Sequence, residues 1–230
     1  MNVSIRIQAI VREIQHENIA DIGTDHAYIP IHALACGRAK RAVACDLNAR
    51  PLAKAAQNIM ANGYADRIEI RQGSGLLPLV PGEVDTAVIA GLGGALLIHI
   101  LCEGATQAQS LSQMILSPQS DLPLVRRFMH EIGFLIHDEI LVFDGGKFYF
   151  ILDCRKGSEG AYTEMEYALG KRLVAKRDAV FLQFAAHERT KLLRVKRRIE
   201  QGSGAVLLSA EAQARLAEIE RMLRYYEAIG

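Results

Sequence analysis

No apolar run in the 230 residues reaches the roughly 18–20 needed to cross a bilayer, so a membrane-spanning protein is not expected. The N-terminus lacks the long apolar stretch of a secretory leader, and a cytoplasmic location follows as the expectation. The four cysteines, Cys36, Cys45, Cys102 and Cys154, include no C-x-x-C pair, and the seven histidines include no H-E-x-x-H. A disulfide framework and a zinc centre are therefore not expected, and the cysteines read as small core residues in a reducing compartment. No G-x-G-x-x-G follows the first strand pattern, which argues against a nicotinamide dehydrogenase. There is no low-complexity segment. What is present is a chain that is 50% hydrophobic, enough to bury a sizeable core, and long enough for one large domain or a domain with an appendage.

The net charge of +1 hides an asymmetry. Residues 1–154 carry 12 basic and 16 acidic side chains, whereas residues 155–230 carry 15 basic and 10 acidic. An acidic body joined to a basic tail hints at a polyanionic partner.

The stretch Ile19–Tyr28, Ile-Ala-Asp-Ile-Gly-Thr-Asp-His-Ala-Tyr, starts as a buried-strand pattern, turns at a glycine and opens into a helix. This is how an α/β protein presents a ligand at the carboxyl end of its first strand. Gly23 lets the backbone approach a ligand closely. Asp21 can accept hydrogen bonds, and Asp25, His26 and Tyr28 project beside the cleft. One glycine preceded by an acid suits a nucleoside ligand without a pyrophosphate, and S-adenosyl-L-methionine is the candidate.

Further strand patterns follow at Arg41–Asp46, 67–72, Val84–Ala90 and Met114–Leu116, alternating with helical stretches. Phe134–Val142 and Lys147–Cys154 flank Asp144-Gly145-Gly146, a hairpin signal. Strands alternating with helices imply a mostly parallel sheet. A terminal hairpin on such a sheet is, by fold analogy, the mark of the methyltransferase variant, so the expected fold is α/β: a doubly wound, seven-stranded, Rossmann-like methyltransferase domain over residues 1–157. Residues 158–230 then read as a helical coiled-coil hairpin, with apolar residues at 3–4-residue spacing interrupted by Gly202-Ser203-Gly204.

Three more pieces lie at strand ends. Asp46 stands 23 positions after Gly23, near the offset at which doubly wound folds place a ribose-binding acid. Leu47 follows it. Gln72-Gly73-Ser74-Gly75 closes the third strand, where Ser74 or its backbone could bond an adenine edge. Ala90-Gly91-Leu92-Gly93-Gly94 closes the fourth, and its three glycines leave room for a flat ligand. A simple turn is the competing reading of each.

Together these residues resemble the bacterial tRNA adenine-22 N1-methyltransferase family. The resemblance runs nearly end to end. It is carried by Ser4-Ile5-Arg6-Ile7, by Ala20–Tyr28, by Arg-Gln-Gly-Ser-Gly-Leu at 71–76, by Ile-Ala-Gly-Leu-Gly-Gly-Ala-Leu at 89–96, and by Asp144-Gly145 with Lys147 and Tyr149. It implies S-adenosyl-L-methionine as cofactor and tRNA as substrate, with the helical domain gripping tRNA. A pocket of Asp21, Gly23, Asp46, Leu47, Gln72, Gly73, Ser74, Gly75, Ala90 and Gly91 would hold the cofactor. Ser74 stands where the family pattern usually has an aspartate, and Ser117-Pro118-Gln119 where Gln-Pro-Asn is more usual. On this reading Asp25 stabilises charge on the target base, His26 orients Asp25 or the cofactor, and Tyr28 stacks on or bonds the base. Arg6 guides the base or contacts the cofactor, Gly93 and Gln119 meet the substrate, and Lys191, Arg194, Lys196, Arg197 and Arg198 meet phosphates. A monomer is expected, with no metal. The alternatives are a methyltransferase for another RNA site and a non-catalytic RNA-binding module on the same fold.

Overall fold

A computed structural model describes residues 3–202 and 209–229 of the chain. Seven strands form one sheet in the order β3-β2-β1-β4-β5-β7-β6. They are β1 (Asn18–Ile22), β2 (Arg41–Asp46), β3 (Ile68–Gln72), β4 (Thr86–Ala90), β5 (Gln113–Ser117), β6 (Phe134–Asp144) and β7 (Lys147–Lys156). The first five pair in parallel; β7 runs antiparallel to β5 and β6. This is the expected methyltransferase arrangement, and each strand of its terminal hairpin runs further than the alternation suggested, to Asp144 and to Lys156.

The central strands are apolar on both faces because both are covered. Ala20, Ile22, Val43 and Ile89 enter one buried layer, and Ile19, Ala42, Ala44 and Val88 the other. That period of two explains why the strands read as continuous apolar runs. The covering helices are α1 (Ile5–Arg12), α2 (Tyr28–Ala35), α3 (Ala49–Ala61), α4 (Gly94–Glu103), α5 (Ala105–Ser110) and α6 (Leu122–Glu131). Ser4 caps α1 as its position suggested, accepting from the Ile7 N–H at 3.3 Å. The short α5, Ala-Thr-Gln-Ala-Gln-Ser, was not expected, since it carries no apolar stripe.

The chain order reverses between β1 and β4, with β2 and β3 on one side and β5 on the other. Such a switch point opens a crevice at the carboxyl ends of the strands.

The residues divide into two compact units, the first ending at Gly170 and the second beginning at Lys171. The first therefore extends past the boundary expected near Gly157. The reason is α7 (Glu164–Leu169), started by a capping box at Thr163 and Glu166 and packed on α6. Buried Arg126 of α6 pairs with Glu139 at 2.7 Å and donates to the carbonyls of Tyr167 and Ala168 at 2.8 and 3.2 Å. Those bonds tie the end of α7 to the sheet.

In the second unit, α8 (Lys171–Lys176) is followed by α9 (Ala179–Gly202) and α10 (Ala210–Ile229). The sequence pattern suggested one continuous first helix. Instead Arg177 takes a left-handed conformation, φ 49°, and Asp178 restarts the chain by accepting from the Phe181 N–H at 2.8 Å. Within the pair, Ile219, Leu223 and Tyr226 of α10 are buried, and Tyr226 meets Phe184 of α9 edge-on. Ser203 and Gly204, read as the turn, lie outside the described residues. No helix among those described is long and apolar enough to cross a membrane.

Candidate active site

The crevice at the switch point holds two cavities that share Gly23. The larger, about 370 Å³, takes Asp46, Leu47 and Asn48 from the end of β2 and Gly73, Ser74 and Gly75 from the end of β3. Its other wall is one face of α4: Leu96, His99, Ile100 and Glu103. The smaller, about 170 Å³, takes Arg6, Ile7 and Ile10 from α1, Asp21 and Asp25 from β1 and its loop, Tyr28 and Ile29 from α2, and Ala90 from β4. A third concavity of about 430 Å³ opens beside Asn18, Arg41 and Ile68, the first residues of their strands. That end is opposite to the one where open α/β sheets bind ligands.

Gly23 has φ 73°, and its N–H and that of Thr24 both donate to the Cys45 carbonyl, at 2.9 and 2.8 Å. The turn is thereby stitched to β2, and a side chain here would be strained. Asp21 is buried and accepts from the Thr24 hydroxyl at 2.6 Å. Burial pushes its carboxyl up to about 6; the Thr24 bond and the charge of Arg6 oppose the rise, while Asp46 and Asp25 add to it. The folded-state value lies above the unfolded one of 3.8, so the native state carries a penalty that is complete above pH 6 and vanishes below about 4. Asp21→Asn is expected to stabilise the fold at pH 7.5 by on the order of 1–3 kcal/mol, the gain fading as pH falls from 6 to 4. Denaturant unfolding across that range checks it; a gain that grows toward low pH would contradict it.

Beyond Gly23 the loop is strained. His26 and Ala27 both have positive φ, 62° and 56°, and the Asn58 amide holds the His26 carbonyl at 2.9 Å. Asp25 stays 80% exposed, with its carboxylate 3.2 Å from His26 Nε2. The His26 ring stacks on Tyr28 with centroids 5.3 Å apart, and it braces Asp25 and Tyr28 without lining either cavity.

Arg6 lies across the smaller cavity. Its guanidinium sits over the Tyr149 ring at 4.6 Å, and its backbone N–H donates to Asp144 at 3.1 Å. Nε and Nη2 are buried without a hydrogen-bond partner. Burial lowers its pKa, against the opposing charges of Tyr149, Asp144 and Asp21. Gly91 lies beneath this guanidinium: a Cβ there would sit 3.6 Å from Arg6 Nη2 and 4.0 Å from the Gln119 amide nitrogen. Gln119 lines a further cavity of about 280 Å³ with Pro118, Leu122 and the Lys147–Phe150 strand segment.

Other sequence candidates are placed differently. Gln72 turns back to donate to the Leu47 carbonyl at 3.1 Å and shapes the cleft from behind. Gly93 is the N-cap of α4, against Ser120. Gly94 is a packing residue, because a Cβ there would lie 2.5 Å from the Ser120 carbonyl. So one of the three glycines after β4 serves helix packing. In α9, Lys196 is held by Glu220 at 2.7 Å and Lys191 by Glu188 at 3.3 Å, whereas Arg194, Arg197 and Arg198 are exposed. The wall residues Leu96, His99, Ile100 and Glu103 went unnoticed in the sequence; their spacing of three, four and seven was the available signal. No cluster of metal-ligating side chains occurs among the described residues.

The sequence matches the methyltransferase-domain family over residues 3–152. It is 31% identical over 189 residues to the tRNA (adenine(22)-N(1))-methyltransferase of Bacillus subtilis, covering 80% of this chain and 79% of that one. The crystal structure of the B. subtilis m1A22 tRNA methyltransferase superposes with a TM-score of 0.86 at 27% identity, over 99% of this chain and 98% of that one. A Streptococcus pneumoniae putative tRNA (m1A22) methyltransferase, crystallised with S-adenosyl-L-methionine, gives 0.86 at 25% identity over 99% of both chains. With the same sheet, the same helical appendage and a crevice at the switch point, the chain belongs to the tRNA (adenine-22 N1)-methyltransferase family.

Proposed function

We infer that this protein transfers the methyl group of S-adenosyl-L-methionine to N1 of adenine 22 in tRNA. One observation carries the reading beyond family membership. Gly23 lines both cavities, so a single backbone turn separates a carboxylate suited to a ribose, Asp46, from the acids Asp21 and Asp25.

The residues fit the cofactor. Asp46 has one carboxylate oxygen engaged by the Asn48 N–H at 2.7 Å and can accept from the ribose hydroxyls. A Cβ on Gly73 or Gly75 would crowd Pro78 or Ile100 at 2.5 and 2.7 Å, so the loop after β3 keeps its close fit against the cleft wall only with glycine. The two unpartnered nitrogens of Arg6 suit the carboxylate of the methionine end, and Asp21 supplies negative charge nearby. When bound, S-adenosyl-L-methionine supplies an electrophilic methyl on a positively charged sulfur.

Adenine N1 carries a lone pair, so the protein's task is alignment and charge stabilisation rather than activation of the nucleophile. N1 lies on the Watson–Crick edge, and the base must be exposed before it reacts. Asp25 stands at the mouth of the smaller cavity, where it stabilises the positive charge that develops on the methylated base. His26 orients Asp25, Tyr28 offers a stacking face, and Gln119 offers an amide to the base edge. The exposed Arg194, Arg197 and Arg198 supply contacts to tRNA phosphates.

Asp25→Ala is expected to lower the single-turnover methylation rate roughly tenfold while leaving cofactor affinity unchanged, since its partner charge exists only late in the reaction. A normal rate at saturating tRNA would remove Asp25 from this role. The function is tested by nucleoside mass spectrometry of unmodified tRNA after incubation with protein and cofactor. Appearance of 1-methyladenosine supports it. Another methylated nucleoside would favour the alternative RNA site, and none at all a binding module.

A further inference from the structure

The larger cavity has two carboxylates on its wall, Asp46 and Glu103, and the ribose accounts for one. Glu103 is the last residue of α4. A carboxylate at a helix C-terminus opposes the helix dipole, so its position there is not one that helix stability favours. Two neighbours that line the same cavity hold it: the Ser74 hydroxyl, which donates at 3.4 Å, and His99 Nε2, also 3.4 Å away.

Around this group the wall is apolar. Leu47 is 62% exposed and Leu96 49%, and both line the cavity with Ile100. Apolar side chains with a few placed polar groups at one edge are the usual lining for a flat heterocycle. The exocyclic amine of adenine donates hydrogen bonds and needs an acceptor. Ser74 directs its proton at Glu103, and the ionised carboxylate is the stronger acceptor at this edge.

We propose that Glu103, positioned by Ser74 and His99, accepts from the exocyclic amine of the cofactor's adenine, so that α4 sets the base specificity of the cleft. The proposal rests on the reading of this cleft as the adenosyl site. A base with a carbonyl in place of the amine would set an acceptor against a carboxylate and be rejected.

The test is calorimetric titration of the full-length protein with S-adenosylhomocysteine and with S-inosylhomocysteine, in which a carbonyl replaces the amine and the adjoining N1 carries a proton. Wild type should bind the adenosyl compound at least about tenfold more tightly. Glu103→Gln is nearly isosteric and on the surface, and its amide can donate as well as accept. It should lose about tenfold in adenosyl affinity and most of the preference. Because residue 74 reaches the same point, adding Ser74→Asp should restore both. An unchanged preference in Glu103→Gln, or no restoration in the double variant, would overturn the assignment while leaving the adenosyl site standing. Failure of wild type to bind either compound would overturn both.

Discussion

Asp46→Ala is expected to weaken S-adenosyl-L-methionine binding by about 10- to 100-fold, the loss of about 1.5–3 kcal/mol that accompanies removal of a charged hydrogen-bond partner. The residue ends β2 beside Gly73, whose N–H donates to the Asp46 carbonyl at 3.0 Å, so it is fixed by backbone pairing on the β3 side. Its side chain also caps the turn into α3 through the Asn48 N–H. Part of the loss could therefore come from a loosened turn, and Asp46→Asn separates the two causes. The amide keeps an acceptor for Asn48 but lacks the negative charge and one acceptor oxygen, so an intermediate affinity is expected. Calorimetry with the 2′-deoxyribose form of S-adenosylhomocysteine gives a second readout: wild type should discriminate against it and Asp46→Ala should not. Equal cofactor affinity in all three proteins would exclude Asp46 from the site.

Replacing Arg194, Arg197 and Arg198 together by glutamate is expected to reduce tRNA affinity about a hundredfold at moderate salt, and to flatten the dependence of affinity on salt by roughly one unit of slope per lost phosphate contact. The three are one helical turn apart, at i, i+3 and i+4, so they share a face of α9. They are exposed, whereas Lys196 is engaged with Glu220 and lies 3.8 Å from Glu200. Lys196→Glu alone should therefore act mainly on the α9–α10 pair and alter the salt slope less. Cofactor binding should be untouched, because the cavity-lining residues all precede residue 104 and belong to the first unit. Gel-shift titrations over a salt series measure both quantities. An equal affinity and an equal slope would place the RNA surface elsewhere and leave α9 and α10 as a packing or dimerisation element.

The legible part of the fold was the part in which local and tertiary signals agree. β1, β2 and β4 read as strands because both sheet faces are buried, and Asp21, Gly23 and Asp46 stood out because they end those strands. Other residues were hidden because their signal is ambiguous in one dimension. Leu96, His99, Ile100 and Glu103 have the spacing of any helix face, and only the sheet position decides that this face borders a cavity instead of the core. Gly94 looked like a ligand glycine, yet the carbonyl it admits belongs to Ser120, far along the chain. The break at Arg177 left no signal, since arginine has no preference for positive φ and the conformation is imposed by the fold. The hold on α7 left no signal either, because Arg126 reaches the carbonyls of Tyr167 and Ala168 from far back in the chain.

The central claim is that this crevice directs a methyl group to N1 of one adenine. The most direct test is reverse transcription across tRNA that has been incubated with the protein and S-adenosyl-L-methionine. A methyl on N1 blocks the Watson–Crick edge and arrests or miscodes the copying enzyme at that nucleotide. The expected result is a stop at position 22 that requires both protein and cofactor and disappears when adenine 22 is replaced by guanine. A stop at another position, or read-through of the whole tRNA despite cofactor binding, would contradict it.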